Sequence, residues 1–176
     1  MPTRKRAPNP AAAVSGDPPA TRPIIPPEYG VPRHNKGLLP WAHVVERMTA
    51  AKVYWVTVVS PARRPHATPV DGVWLDGALY FGGAPSTRRQ RYLRTNPAAS
   101  VHLEDGQDVV TMNGDVELAP TLPREAAERL ARDSNAKYGY GARAEDYVAR
   151  GAAIFRPREV FAWRQGMKDA TRWQLP

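Results

Sequence analysis

The sequence predicts a mainly β chain, a closed antiparallel barrel with a few flanking helices. Six or seven short runs of β-branched and aromatic residues follow one another between residues 52 and 175, each bounded by Gly, Pro, Asn or Asp. Helical periodicity is confined to four brief stretches. Short antiparallel strands with few covering helices protect their edges best by closing on themselves.

The elements read in order. Pro40-Trp41 opens the folded part, and Val44, Val45, Met48 and Ala51 recur at helical spacing, so Trp41–Ala51 is a helix. Lys52–Ser60 is a strand by its aromatic and β-branched content, and Pro61-Ala62-Arg63-Arg64 turns the chain. His66–Leu75 and Ala78–Gly83 form a hairpin around Asp76-Gly77, a pair suited to positive φ. Gly82-Gly83-Ala84-Pro85 breaks the second strand. Ser86 or Thr87 then caps a helix that runs to about Thr95 and ends at Asn96-Pro97. Ala99–Glu104 and Asp108–Leu118 are strands joined by Asp105-Gly106-Gln107, with Gly114 marking a bulge. Pro123–Tyr138 is a helix whose thin, alanine-based stripe places it on the barrel surface. After the loop Tyr138–Gly141 and a short helix over Ala144–Arg150, the strands Ala152–Arg156, Val160–Arg164 and Thr171–Leu175 close the barrel against the first ones. Small barrels have little interior room, so a large ligand sits outside the barrel or at a subunit junction.

Two regions follow: 1–40 and 41–176. The first holds ten of the 19 prolines, a density that rules out helix and sheet interiors. It reads either as a disordered, basic tail or as an arm around Ile24-Ile25 and Tyr29 that wraps a partner subunit or covers a ligand. The absence of cysteine excludes disulfides and thiolate chemistry, and the four scattered histidines form no metal-ligand pair. No apolar run approaches the ~20 residues of a membrane helix. No apolar stretch follows the basic N-terminus as a secretory signal would require, so the chain is expected in the cytoplasm, without a membrane partner. Of the net charge of +8, half lies in residues 1–40, and the arginines of the folded part cluster at 88–94. A local cluster beside a strand–helix junction fits a small anionic ligand, not nucleic acid.

That junction carries the chemistry. Ser86, Thr87, Arg88 and Arg89 follow a strand and open a helix, where backbone N–H groups, hydroxyls and guanidinium forks all favour a phosphate. The pattern Thr87-Arg88-Arg89, leading to Asn96-Pro97, resembles the FMN-binding split barrels of the pyridoxamine-phosphate-oxidase superfamily, which includes deazaflavin-dependent reductases. The resemblance spans about residues 41–175. It implies a split β-barrel homodimer with the cofactor at the dimer interface. Thr68, Pro69 and Val70 would run under the cofactor ring and Ser86, Thr87, Arg88 and Arg89 would hold its phosphate. Trp163 and Arg172 would approach from the partner subunit. The chain departs from the oxidase pattern in three places: Gly72 stands where a lysine is expected, Lys168 and Ala170 stand near an arginine and a histidine that hold substrate phosphate, and Val109 stands near a glutamine.

These departures, with the extra charges of Arg91 and Arg94, favour coenzyme F420, whose acidic tail needs a longer basic groove, over FMN as the alternative. The expected activity is hydride transfer to a small organic substrate, because no side-chain array here supplies redox chemistry. A non-catalytic flavin- or haem-binding barrel is the other reading. No catalytic side chain is assigned; Tyr138, Tyr140 and His66 are the candidate proton donors.

Overall fold

The computed structural model describes residues 16–176. Nine strands and four α-helices follow in the order β1 (Ala20–Thr21), α1 (Trp41–Ala50), β2 (Tyr54–Val59), β3 (Pro65–Val70), β4 (Gly72–Leu75), β5 (Ala78–Phe81), α2 (Arg88–Leu93), β6 (Ala98–His102), β7 (Asp108–Ala119), α3 (Arg124–Tyr138), α4 (Ala144–Arg150), β8 (Ala152–Arg164) and β9 (Thr171–Gln174). The architecture is the predicted mainly β one, and every pairing is antiparallel.

Closure follows the expectation in part. The last strands do meet early ones, β8 pairing with β5 and β9 with β1, but the stretch 65–75 is what closes the barrel. Predicted as one strand from His66, it is two strands broken at the exposed Asp71. β3 pairs with β2, and β4 turns away to pair with β5, which in turn pairs with β8. The sheet therefore runs β3-β2-β6-β7-β8-β5-β4 and returns to its own start through Asp71. Asp76 and Gly77 carry φ of 51° and 76°, the two positive values of the anticipated tight hairpin turn.

β8 is the second correction. Two strands were expected, separated near Pro157, but a single strand of 13 residues runs through it. Proline donates no hydrogen bond, so it sits where the ladder is irregular. There the register passes from Asn113↔Glu159 to Gly114↔Pro157, and the unpaired Arg158 is the extra residue. The bulge predicted at Gly114 is thus on the opposite strand. Gly114 is still required, since a Cβ there would stand 2.1 Å from the Arg156 carbonyl oxygen.

Alternation along β2, buried at Tyr54, Val56 and Val58, aims one face at the barrel core. Val101, Met112, Phe155, Val160 and Trp173 meet it there, and Trp41 of α1 packs edge-on against Trp173 at 5.5 Å. α3 lies outside the barrel, as its stripe predicts, and buries Ala127, Leu130, Ala131 and Ser134 over the outer face of β4 and β5.

Residues 1–15 of the proline-rich region lie outside the described residues. From Ala20 on, that region is an arm laid on its own chain: β1 pairs with β9, and Leu39 N donates to Thr171 Oγ1 at 2.8 Å. Arg22 pins it, donating to the carbonyls of His34, Lys36, Lys168 and Ala170.

Candidate functional site

The strand–helix junction is built around Arg89. Thr87 is the N-cap: its hydroxyl accepts from Gln90 N at 3.4 Å and donates to Ala84 O at 2.9 Å. α2 begins right after that cap, and its first two residues differ in burial. Arg88 and Ser86 are exposed, whereas Arg89 is only 9% exposed. The Arg89 guanidinium donates to Thr68 Oγ1 at 2.8 Å and to Gly82 O at 3.0 Å and lies over the Phe81 ring at 5.5 Å. Its Nε is buried without a partner, and among the described residues no carboxylate pairs with it. Burial accordingly lowers its pKa from the ordinary guanidinium value. Gly83 completes the fit with φ of 151°; a Cβ there would stand 2.7 Å from the Arg89 Nη2. A buried cation without a counter-ion, beside an exposed second cation, is suited to an anionic group brought by a ligand.

Arg89 also lines a cavity of about 350 Å³. Pro69, Val70, Asp71, Gly72, Tyr80 and Phe81 form its sheet wall. Leu130, Ser134 and Tyr138, at helical spacing on α3, form the opposite wall with Tyr140 and Tyr147. The Tyr138 and Tyr140 rings are near parallel, at 10° and 5.0 Å. Tyr140 OH donates to Asp71 Oδ2 at 2.5 Å. Tyr138 OH accepts from Gly72 N at 3.0 Å and lies 2.8 Å from Gly72 O, which ties α3 to the start of β4. A second cavity of about 1030 Å³, sharing Gly82, Tyr147, Gly151 and Ala152 with the first, is lined by Arg94 and Arg150.

Gly72, where a lysine was expected, has no room for a side chain: a Cβ would meet Leu79 Cδ1 at 2.8 Å and Tyr80 O at 2.9 Å. A lysine reaches the same place from elsewhere. Lys137 Nζ, on α3, donates to Tyr54 OH at 2.8 Å and to Gly72 O at 3.4 Å, over the rings of Tyr54 and Tyr138. Burial lowers the Lys137 pKa to about 8. A lysine with a lowered folded-state pKa binds fewer protons folded than unfolded, so the fold gains stability as pH rises from about 8 toward 10.5. Wild type should therefore gain melting temperature relative to Lys137→Met between pH 7 and about pH 10, read by thermal unfolding of both proteins. A constant difference across that range contradicts a lowered folded-state pKa for Lys137.

Arg89 thus meets Thr68 by a hydrogen bond and shares one cavity with Pro69 and Val70, with Ser86, Thr87 and Arg88 just before it in sequence, while within one chain Trp163 and Arg172 do not join them. Direct cross-strand partners run from Pro69 through Trp55, His102, Thr111 and Phe161 to Arg172. Pro69 and Arg172 share the outer face but stand five strand spacings of about 4.8 Å apart, roughly 24 Å along the sheet. Trp163, on that face too, is half-buried, and Arg172 Nε pairs with Glu159 Oε1 at 2.6 Å. His66 packs edge-on against Tyr92 at 5.7 Å and does not line the first cavity. Of the candidate proton donors, Tyr138 and Tyr140 do line the cavity; Asp71, Lys137, Leu130 and Ser134 were not legible as site residues, because the contacts that bring α3 to Gly72 and Asp71 cross more than sixty residues of sequence.

No protein-family model matches the chain, and no curated protein matches it in sequence. Solved structures do match its fold. A conserved hypothetical protein from Mycobacterium tuberculosis aligns at a TM-score of 0.59 and 19% identity, over 74% of this chain and 88% of its own. A protein from Clostridium acetobutylicum of the pyridoxine-phosphate oxidase family, related to general stress protein 26, aligns at 0.55 and 15%, over 76% and 93%. An FAD-binding protein from Mesorhizobium loti aligns at 0.53 and 20%, over 78% and 96%. The chain has the split-barrel fold of the pyridoxamine-phosphate-oxidase-like proteins. Among the described residues, no helix is long and apolar enough to cross a membrane.

Proposed function

We propose that the chain is an oxidoreductase that uses a phosphate-bearing flavin or deazaflavin, with coenzyme F420 favoured over FMN. The observation that carries this is Arg89, a buried cation without a carboxylate partner, held by Thr68 and Gly82 beside the exposed Arg88. The two guanidiniums would hold the cofactor phosphate, Thr68–Val70 would flank its ring, and the side-chain-free backbone at Gly82-Gly83 would let it approach. The large cavity bears Arg94 and Arg150 against one carboxylate, Asp146, a net positive lining that supports a ligand with a long anionic tail, which coenzyme F420 has and FMN lacks. The bound ring supplies hydride chemistry, for which this chain has no side-chain substitute.

Trp163 and Arg172 fit this reading only in a homodimer. Four strands lie between Pro69 and Arg172 around the outer face of the sheet, so a second copy would bring them to the site. The FAD-binding neighbour is consistent with a flavin-type ligand on this fold. The test is an anaerobic assay with reduced coenzyme F420 and, in parallel, reduced FMN, against a panel of quinones and enones. Protein-dependent reoxidation that requires an acceptor supports the enzyme. Tight cofactor binding with no turnover on any acceptor makes it a non-catalytic carrier.

A further inference from the structure

The two cavities of the site meet at one threshold. They share Gly82, Tyr147, Gly151 and Ala152, and of these only Tyr147 carries a side chain larger than methyl. A Cβ at Gly151 would stand 1.7 Å from the Ala119 carbonyl oxygen, whereas a Cβ at Gly82 would meet nothing within 4 Å. Gly82 O accepts from the Arg89 guanidinium at 3.0 Å, so the threshold adjoins the buried cation. Past it, Arg94 and Arg150 line the larger cavity, and its carboxylate, Asp146, lies 3.7 Å from Arg143 Nε. Tyr147 and Arg150 stand three residues apart on α4 and so share a helix face. The half-buried Tyr147 packs against the cluster that holds Leu130 and Ile154. Its hydroxyl makes no hydrogen bond among the described residues, which leaves one O–H donor at the passage.

We infer that Tyr147 is a specificity-determining residue, the threshold that selects a ligand continuing past its phosphate as an anionic chain. Its role as a selector rests on the oxidoreductase reading above. Pro69 and Val70 flank the ring system in the smaller cavity, Arg88 and Arg89 hold the phosphate, and Arg94 and Arg150 meet the chain in the larger one. Between them the Tyr147 hydroxyl donates to an oxygen of the chain just past the phosphate. FMN ends at its phosphate, so that hydroxyl has nothing on FMN to bond. Selectivity is a difference of two affinities, and the Tyr147 hydroxyl adds to one of them alone.

The test is equilibrium titration of the whole protein with coenzyme F420 and with FMN, in wild type, Tyr147→Phe and Tyr147→Ala, alongside thermal unfolding. The quantity read is the ratio of the two affinities. Tyr147→Phe removes a hydroxyl that holds nothing within the chain, so the melting temperature should not move. The preference for coenzyme F420 over FMN should nonetheless fall roughly threefold or more, the loss of one hydrogen bond. Tyr147→Ala also removes the ring that bounds the passage, and the preference should fall further, roughly tenfold or more. Should the alanine variant fail to fold, the phenylalanine variant decides alone. A ratio unchanged in Tyr147→Phe, whether both affinities fall together or neither falls, overturns the threshold and leaves the cofactor reading standing. Binding of FMN without coenzyme F420 in wild type does the same. Binding of neither cofactor in wild type sinks the oxidoreductase reading, and the threshold with it.

Discussion

Gly151→Ala is expected to cost more than about 4 kcal/mol, enough to remove most of the stability of an ordinary domain. Gly151 ends α4 and starts β8 with φ of 66° and ψ of −157°, a region almost reserved for glycine. Sterics add to the backbone penalty, because a Cβ there would stand 1.7 Å from the Ala119 carbonyl oxygen and 2.6 Å from the Pro120 carbonyl carbon. Those are backbone atoms at the end of the β7–β8 ladder, where Ala119 pairs with Ala152, so no side-chain rotation relieves the clash. A fall in melting temperature of at least about 10 °C, or failure to accumulate as soluble protein, is the expected reading. Gly106→Ala is the control: a Cβ there meets nothing within 4 Å, and the change should stay within about 0.5 kcal/mol. Equal stability of the two variants would contradict the described path of the chain into β8.

The second large effect is on binding. Arg88→Ala with Arg89→Ala should weaken cofactor affinity by well over tenfold, since each charge-assisted bond contributes about 1.5–3 kcal/mol. The single variants separate the two roles. Arg88 is exposed, so its loss should lower affinity with little change in unfolding temperature. Removing Arg89 also strips Thr68 Oγ1 and Gly82 O of a donor, so it should lower affinity and loosen the junction of β3 with α2. Arg89→Lys restores the charge without the fork and should recover only part of the affinity. Equilibrium titration together with thermal unfolding reads both quantities. Unchanged affinity in the double variant removes the phosphate site.

Much of this architecture was legible because its signals are local. Asp76-Gly77 announces its hairpin by the positive φ both residues adopt, and Thr87 announces α2 by the cap its hydroxyl makes. What was missed depends on partners remote in sequence. Asp71-Gly72 is the same local break signal as Asp76-Gly77, but nothing local to it reveals that β3 zips to β2 while β4 zips to β5. Pro157 reads as a break because its neighbours do not disclose the bulge that accommodates it. The run Val160-Phe161-Ala162-Trp163 is apolar at every position, so the pattern cannot say which tryptophan fills the core. The register can: Val160 and Ala162 face inward with Trp173, and Trp163 faces outward.

The site divides in the same way. The hydroxyl–arginine motif located Arg88 and Arg89, because their placement follows from a strand, a turn and a cap contiguous in sequence. The motif did not distinguish the exposed guanidinium from the buried one, nor reveal that Thr87 uses its hydroxyl on Ala84 O and Gln90 N. The α3 wall and the bonds of Tyr138 and Lys137 to Gly72 emerge only once α3 is laid over β4.

The central claim is that this barrel binds a phosphate-bearing flavin or deazaflavin through Arg88 and Arg89. A fluorescence titration of the purified protein with coenzyme F420 and FMN side by side, repeated with the double arginine variant, tests it most directly. Saturable binding of coenzyme F420 at one molecule per chain, tighter than FMN and lost in the variant, is the predicted result. Binding of neither cofactor, or equal binding by wild type and variant, would contradict it.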